Sequence, residues 1–533
     1  MDNSTNSFAA GRYVARSVFL GLCAGLVALL VTPVISQSES PSNYIEGVVE
    51  SSGGREAGVW VIAETSDLPT HFIKIVVTDA QGRFVLPELP DAIYDVWVRG
   101  YGLADSSPVP ARPGAELTLN APVARTPQEA AQVYPANYWY SLLEVPPESA
   151  FPGTGPDGNG IAEGMRSQAQ WIDMTKQGCQ LCHQLGNQVT RQITHLSHLG
   201  FDSTYEAWDH RVQVGIRGGT MSTFMNRFGR ERGLESYADW TDRIAAGEVP
   251  DGPDRPTGLA QNVVVTLWDW GKESSYVHDE ITTDKWNPTV NASGPVYGVD
   301  GGHGALLELD PNTHAVRTLE IPVLDRPENP ARTRFAQRFP VPSPFYGDEA
   351  LWTEPADPHN PMLDDKGRVW MTTKVRGNTL PEWCQEGSSN KYAQYYPTSR
   401  SGRQASYYDP ATGEFGLIDT CFGTHHLHFA PDEDRTLYFS GGGDVVGWIN
   451  TRMYDETGNG QLSQGWCPLV VDTNGDGEIT KPWNQPVGAL RSVDVGGGGE
   501  RLEDFNPTLD TRMSPGSYGV IANPVDNIVW GGG

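Results

Sequence analysis

Positive charge is scarce in this sequence. The 533 residues include 38 lysines and arginines against 66 aspartates and glutamates, which gives a formal net charge of −28. A surface with this balance repels a phosphate backbone, so the composition disfavours nucleic acid and anionic membrane surfaces as partners. Long apolar runs are also scarce, and the clearest one extends from Val18 to Ile35, behind Arg12 and Arg16.

That apolar run has the form of an export signal. Basic residues precede it, polar residues follow it, and the small residues Val34 and Ser36 fit a cleavage site. We therefore predict a signal peptide over residues 1–36 and a mature protein in the periplasm or outside the cell. An uncleaved membrane anchor is the alternative, because the run is long enough to approach a bilayer span. No other membrane association is expected.

Cysteine is scarce as well, with six in the chain, but two of them belong to one motif. Cys179-Gln180-Leu181-Cys182-His183 is the pattern that attaches haem c: both thiols add to the vinyl groups, and the imidazole binds the iron. A thioredoxin-like redox pair is the rival interpretation, but no βαβ pattern surrounds the motif. A structural zinc site needs more ligands than this motif supplies. The sequence therefore predicts covalently bound haem.

Met221 is the predicted second ligand of the haem iron. It lies 38 residues beyond His183, a spacing that suits a compact cytochrome. Methionine sulfur raises the reduction potential of haem iron, whereas a second histidine gives a lower one. The competing ligands are Met225, His195, His198 and His210.

Outside the haem segment the sequence is typical of a mainly β, multidomain protein, since 60 glycines and 40 prolines favour turns and short strands. Between residues 44 and 124, short runs such as Val59–Ala63 and Tyr94–Val98 alternate with turns. This segment resembles the carboxypeptidase regulatory-like domain, a prealbumin-like β-sandwich. The resemblance implies a structural or adhesive accessory without peptidase activity.

Residues 135–250 differ in character, because their apolar residues follow helical spacing. We interpret this segment as a small α-helical, cytochrome c-like haem domain. The predicted helices are Gln168–Gln177, Tyr205–Ile216 and Ser236–Ala246.

Residues 257–533 return to short strands and contain two weak repeats. One repeat joins a turn to a strand, and the other joins a strand to an aspartyl-proline turn. Such recurrence predicts a radially repeated β architecture. The repeats are Pro361–Trp370, Pro431–Tyr438 and Pro524–Trp530, and then Leu306–Thr313 and Ala405–Gly413. Their alternation resembles the blades of streptogramin (virginiamycin B) lyase-like β-propellers, and the order of segments resembles exported multidomain bacterial proteins of that superfamily.

These repeats make three or four blades, fewer than closed propellers usually have. We therefore expect a partial propeller, truncated at the C-terminus, with further blades in a missing part of the reading frame. The segment Val263–Trp270 is the predicted first propeller strand, after a linker at residues 250–256.

Four histidines near the starts of predicted blade strands are weak catalytic candidates. If the inner strands bring them to the central opening, their imidazoles can bind a metal or polarise a substrate, as a lyase-like site would require. Local hydrogen bonding is the ordinary role of a lone histidine and the alternative interpretation. The four are His278, His303, His359 and His426.

An acidic segment near residue 472 has half of a calcium-loop pattern. Asp472, Asn474 and Asp476 offer oxygen ligands at alternate positions. Trp483 stands where a complete loop would have a bidentate glutamate, so we expect at most a weak calcium site, and a solvated acidic turn is the alternative.

Three cysteines lie in the C-terminal region, and an oxidising compartment should pair two of them. Cys384 and Cys421 are the favoured disulfide, because both lie beside strand ends in the more regular part. Cys467 is then the odd cysteine, in a segment that the sequence presents as an insertion.

Together these features predict an exported electron-transfer protein or oxidoreductase. Its haem domain would exchange electrons with a protein donor or acceptor, or with a small-molecule substrate held by the propeller. The first alternative is a lyase or hydrolase at the propeller centre with an accessory cytochrome. The second is a carbohydrate- or protein-binding module.

Overall fold

The computed structural model is mainly β, with several antiparallel sheets, which confirms the predicted class. All elements below belong to one compact unit, Asn43–Gly533. The predicted signal segment lies outside the described residues. No helix of the described part is long and apolar enough to cross a membrane. The structure describes residues 42–215, 217–324, 354, 356–398, 401–443, 445–468, 470–472, 475–477, 490–491, 511–514, 518–526 and 528–532.

The first part is a sandwich of two sheets. Its strands are β1 (Ile45–Ser51), β2 (Gly54–Arg55), β3 (Trp60–Thr65), β4 (Phe72–Val77), β5 (Arg83–Leu86), β6 (Tyr94–Arg99), β7 (Val109–Ala111), β8 (Glu116–Asn120) and β9 (Val264–Trp268). One sheet has the order β2-β1-β5 with β8 parallel to β1, and the other has the order β7-β6-β3-β4-β9. Alternate residues of both sheets meet in one core, for example Ile45 and Leu86 with Val61 and Tyr94, all fully buried.

The strand β9 corrects the sequence interpretation. The apolar run that contains it was predicted to be the first propeller strand, but β9 pairs antiparallel with β4, with Phe72 opposite Trp268 and Val76 opposite Val264. The chain therefore returns to the sandwich after the helical segment. Edge strand β4 needs a partner for its open ladder, and β9 supplies it.

The second part is helical. Its helices are α1 (Pro127–Ala131), α2 (Ala136–Tyr140), α3 (Gln168–Thr175), α4 (Gln188–Arg191), α5 (Thr204–Arg211), α6 (Gly218–Phe228) and α7 (Arg230–Ala245). Short 3-10 turns cover Glu148–Ala150, Thr194–Leu199 and Gly258–Asn262. The side chains of Ser167 and Ser203 accept hydrogen bonds from the first turns of α3 and α5. The core of this part is aromatic, and Trp171, Phe228 and Trp240 are almost fully buried.

Two helix predictions had wrong bounds. The last helix begins at Arg230, six residues before the predicted start, and α5 ends at Arg211, whereas the predicted end, Ile216, lies outside the described residues. The helix α6 was not predicted. Gly218 and Gly219 open α6, and glycine pairs weaken the helical signal of a sequence. Its position is fixed by packing, since Met225 and Phe228 are buried in the shared core.

The third part contains three successive four-stranded antiparallel sheets. The first comprises β10 (Val277–Ile281), β11 (Val296–Asp300), β12 (Ala305–Asp310) and β13 (Ala315–Glu320); the second β14 (His359–Leu363), β15 (Val369–Thr373), β16 (Gln404–Asp409) and β17 (Glu414–Ile418); the third β18 (Leu427–Phe429), β19 (Thr436–Phe439), β20 (Val445–Asn450) and β21 (Gln464–Pro468). The first strands of consecutive sheets are neighbours: Asn360 N–H donates to Asp279 Oδ2 over 2.9 Å, and Leu427 N–H donates to Asn360 Oδ1 over 2.8 Å.

The sequence repeats occupy equivalent turns of these sheets. Asp364 and Asp432 begin the turns between first and second strands, while Asp310 and Asp409 begin the turns between third and fourth strands. In each turn an aspartate oxygen accepts a backbone N–H from the turn. Short polar turns of this kind let each chain segment reverse direction within the sheet.

The remaining elements are short. They are α8 (Lys391–Tyr395), α9 (Thr451–Thr457), a 3-10 turn at Glu382–Cys384, and the strands β22 (Val470–Val471), β23 (Leu490–Arg491), β24 (Thr511–Ser514), β25 (Gly519–Ala522) and β26 (Val529–Gly532). Cys384 and Cys421, the pair favoured by the sequence, form a buried disulfide with Cα atoms 5.3 Å apart. Cys467 is free and lies within β21, opposite Val446, so it does not belong to an insertion.

Candidate functional site

The Cys179–His183 motif lies on helical turns that continue α3. A π-helical turn, Lys176–Gln180, continues the helix, and the carbonyl of Cys179 accepts N–H groups from Cys182 at 3.2 Å and from His183 at 2.9 Å. The second cysteine and the histidine therefore lie one turn beyond the first cysteine. π-Helical turns are rare and are frequently found at functional sites.

Both thiols of the motif are free, and they differ in exposure. Cys182 is exposed, whereas Cys179 is half-buried, and the Tyr237 hydroxyl donates to its sulfur over 3.4 Å. Burial raises the pKa of Cys179. Burial and the neighbouring guanidinium of Arg211 both lower the pKa of His183. Both effects favour the neutral imidazole, which is the form that binds iron.

Helix α6 packs against this turn and carries Met221. A Cβ atom on Gly178 would lie 2.5 Å from the ring of Phe224, which shows how closely the helix approaches. Cys179 and Met221 are both partly buried at the border of the same hydrophobic cluster. The structure thus brings Met221, the predicted second ligand, close to the turn that carries Cys179.

Met225 has different surroundings from Met221. It is 3% exposed, and a Cβ atom on Gly233 of α7 would lie 2.5 Å from its sulfur. A sulfur enclosed between two helices is a packing group, so Met225 is a poor iron ligand.

The three competing histidines lie in other environments. Arg211 Nη1 is 2.7 Å from His195 Nε2, and a guanidinium only donates, so this ring nitrogen accepts and is already used. His198 is exposed, with its Nδ1 3.0 Å from the His195 carbonyl oxygen. His210 packs on Phe201 with ring centroids 5.1 Å apart.

Arg211 is a cation next to the motif without an acidic partner. Among the described residues no carboxylate lies within 4.0 Å of its guanidinium, and burial lowers its pKa. A desolvated guanidinium is costly unless an anion or strong acceptors pair with it. The surroundings of His183 therefore have spare positive charge.

A second group of titratable side chains lies where the first strands of the three sheets meet. His278 and Asp279 come from β10, His359 from β14, and His425 and His426 directly precede β18. Ring centroids are 4.5 Å apart for His359 and His425, 5.0 Å for His359 and His426, and 4.6 Å for His278 and His359. We call these five residues the histidine cluster.

The hydrogen bonds of the cluster determine which ring nitrogens are free. Nδ1 of His359 is 3.2 Å from the His425 carbonyl oxygen, and Nδ1 of His426 is 2.8 Å from the Tyr518 carbonyl oxygen. Carbonyl oxygens only accept, so both Nδ1 atoms carry the proton. In the neutral rings the lone pair is then on Nε2.

Charge also varies across the cluster. Burial and the cation Arg403 hold the pKa of His359 at about 3. The hydrogen bond that His278 Nδ1 donates to Asp279 Oδ2, at 2.9 Å, raises the pKa of His278, while burial and the positive charges of Arg403 and Arg217 oppose that rise. Arg217, whose positive charge acts on His278, immediately precedes α6.

Backbone strain is concentrated around His359. Asp357 and Asn360 have φ values of +42° and +46°, in the left-handed region that non-glycine residues rarely adopt. Asn360 is held there by the two bonds that join the first strands of the sheets. Such outliers cluster at functional sites, where the surrounding contacts maintain them.

The fourth predicted histidine, His303, has other partners. Its Nδ1 is 2.6 Å from Asp300 Oδ2, and its Nε2 is 3.4 Å from Ser274 Oγ. Asp300 is 1% exposed, and its other oxygen accepts backbone N–H groups from Tyr276, Gly302 and His303. The four histidines therefore fall into two sites, with three in the cluster and one in a serine–histidine–aspartate arrangement.

The acidic loop is only partly described. Both carboxylate oxygens of Asp472 accept backbone N–H groups, from Gly475 at 2.6 Å and from Gly477 at 2.9 Å. Asp476 is described, but Asn474 lies outside the described residues. The Asp472 carboxylate thus closes its own turn, which is the arrangement of a solvated acidic turn as well as of a calcium loop.

Three contributors to these sites were not selected from the sequence. His425 adjoins His426, and the tandem pair was a signal for it. Asp279 and Arg211 gave no signal, because their roles depend on a neighbouring strand and on a neighbouring helix.

No family model matches the chain, and no curated protein was found to be similar to it. The function proposed below therefore follows from residues of the chain itself.

Proposed function

We propose that this protein is an exported c-type haem protein that transfers electrons. The observation that carries the proposal is the Cys179–His183 motif, in which two free thiols and a neutral imidazole share one turn. Haem bound there would supply a one-electron couple of iron. Cys179 and Cys182 would hold it covalently, and His183 would be the first iron ligand.

The surroundings of the motif fit such a group. Helix α6 offers the thioether of Met221 at the border of the same cluster that holds Cys179. Tyr237 donates a hydrogen bond to the first thiol. Arg211, which has no acidic partner among the described residues, offers a positive charge to an anionic haem propionate.

The β parts would hold the partner in this proposal. The three sheets, with neighbouring first strands, support a streptogramin lyase-like β-propeller, and the two-sheet sandwich supports a prealbumin-like accessory domain. An electron donor or acceptor, either a protein or a small molecule, would then bind beside the haem module.

The test is covalent haem retention. Protein exported from a host with a cytochrome c maturation system is extracted with acid acetone, and haem remaining with the polypeptide is measured as the pyridine haemochrome. The wild type should retain its haem, and the C179S/C182S double variant should lose it. Cys467→Ser is the matched control, since it removes the half-buried free thiol of β21 and should retain haem. Full retention in the double variant would overturn the proposal.

A lyase or hydrolase is a second candidate, favoured by Ser274, His303 and Asp300. Their contacts of 3.4 and 2.6 Å follow the order nucleophile, base and orienting carboxylate. A fluorophosphonate probe should label Ser274 if the serine is activated, and Ser274→Ala should abolish the label. Absence of labelling in the folded wild type would reject this candidate.

A further inference from the structure

Three histidines of the cluster present converging ring nitrogens. Donor atoms of His359, His425 and His426 all lie within 4.8 Å of one another, as do donor atoms of His278, Asp279 and His359. Nitrogen ligands about 2.1 Å from a tetrahedral zinc ion lie about 3.4 Å apart, so small rotations of these side chains would suffice. His359 belongs to both groups and is the centre of the cluster.

The second contacts of His359, His426 and His278 are those of metal-binding histidines. Such a histidine usually donates its other ring N–H to a carbonyl or carboxylate, which fixes the tautomer and the ring orientation. His359 donates to the His425 carbonyl, His426 to the Tyr518 carbonyl, and His278 Nδ1 lies 2.9 Å from Asp279. A stack of rings that served packing alone would not need this common orientation.

The cluster is also held in place by rigid elements. The bonds through Asn360 tie its three strands together, and Ser440 Oγ donates to the carbonyl of Tyr518, which fixes the partner of His426. His359 is buried, whereas His278 is exposed, so the site is enclosed on one side and open to solvent on the other. An ion can therefore enter without unfolding of the sheets.

We infer that His359, His425 and His426 bind one divalent first-row transition-metal ion, with His278 and Asp279 at the open side of the site. Imidazole donors suit zinc, copper, nickel and iron, and the acidic partner is placed to orient His278. This site is separate from the proposed haem ligands and goes beyond the proposed electron-transfer function.

Zn²⁺ is the probe for the test. Full-length, haem-loaded protein is treated with EDTA, dialysed, and titrated with Zn²⁺ in a calorimeter, with bound zinc then measured by mass spectrometry. We expect one saturable site per chain. His425→Ala and His426→Ala should each weaken binding by more than about 100-fold, since loss of an outer contact alone costs about 10- to 100-fold.

His71→Ala is the matched control, because it removes an imidazole of the sandwich outside the cluster. It should leave zinc binding unchanged. Circular dichroism and haem content of each variant establish that it is folded. Absence of a saturable site in the wild type, or unchanged binding in both folded cluster variants, would overturn the inference. Haem retention is measured on the same samples, so failure of the metal site and failure of the haem proposal are distinguished.

Discussion

Phe224 packs directly on Gly178, so closely that a Cβ atom at position 178 would lie 2.5 Å from the ring. Gly178 immediately precedes Cys179, the first cysteine of the Cys179–His183 motif, and Phe224 follows Met221 on α6. The contact therefore sets the distance between the two elements that would hold haem in the proposed function. Glycine, which has only a hydrogen atom as its side chain, allows this close approach of Phe224.

Substitution of Gly178 should separate the two elements. Gly178→Ala forces Phe224 to move, and overpacking of this kind typically costs about 1–3 kcal/mol. We expect weaker methionine ligation, seen as loss of the near-infrared sulfur-to-iron band, and a lower free energy of unfolding in urea. Gly53→Ala, where the nearest atom to a new Cβ is 3.4 Å away, is the control. An unaltered band and stability in Gly178→Ala would contradict the proposed role of the contact.

Met221 and Met225 should respond differently to truncation. Met221→Ala should abolish the near-infrared band with a small change in stability, because Met221 is only partly buried. Met225→Ala should keep the band and lower the free energy of unfolding by about 2–5 kcal/mol, because it empties a buried position. Absorption spectra and urea unfolding of both variants decide the matter. The reverse pattern would assign the iron ligand to Met225.

Much of the fold could be predicted because it depends on local patterns. Alternation in the strands and aspartate turns such as those at Asp310 and Asp409 are readable from a few consecutive residues. The placement of β9 was not readable, since a valine-rich strand suits either sheet and its partner β4 lies about 190 residues earlier. Helix α6 was missed because Gly218 and Gly219 oppose the helix that tertiary packing enforces.

The candidate sites also differ in how much of each could be predicted from the sequence. The Cys179–His183 motif is contiguous, so its residue types and their order indicate its chemistry. The histidine cluster joins three strands, and only the neighbouring first strands of the sheets bring His278 beside His359. His303, in contrast, contacts Asp300 three residues earlier, within the turn that follows β11. Asp279 and Arg211 could not be selected, because a charged residue acquires its role from neighbours that are distant in sequence.

Trp268 should stabilise the junction between the sandwich and the first of the three sheets. It packs on Phe72 with ring centroids 5.7 Å apart, and its indole N–H donates to His314 Nδ1 at 3.0 Å, in the turn between β12 and β13. Trp268→Phe should cost about 1 kcal/mol for the hydrogen bond. Trp268→Ala should cost about 3 kcal/mol or more and increase protease cleavage between residues 269 and 276.

The control for Trp268 is Trp97→Phe. It also removes an indole hydrogen bond, to Glu64 at 2.7 Å, but within the sandwich. It should lower stability without exposing the junction to protease. Equal cleavage of the Trp97 and Trp268 variants would show that Trp268 has no special role at the junction.

The ion pair of Arg255 and Glu56 should make the sandwich sensitive to acid. Arg255 Nη1 lies 2.5 Å from Glu56 Oε2, and Arg255 Nε donates to the Tyr101 carbonyl at 2.9 Å. These two bonds attach the segment that follows the helical part to the sandwich. Burial raises the pKa of Glu56, but hydrogen bonds from Ser51 and Arg255, with the charge of Arg255, lower it below its usual value.

The sign of the pH effect follows from that lowered pKa. A carboxyl group with a lower pKa in the folded state stabilises it above the unfolded value, about 4.3, and this contribution is lost as pH falls through the folded value. Arg255→Gln should therefore reduce the free energy of unfolding by about 1–2 kcal/mol at pH 7, and the difference from wild type should shrink in strong acid.

Arg112→Gln, which breaks a pair with the exposed Asp91, should have almost no effect at either pH. Urea unfolding at pH 7 and pH 3 measures both variants, and an equal loss for Arg255→Gln at the two pH values would assign its effect to packing rather than to the ion pair.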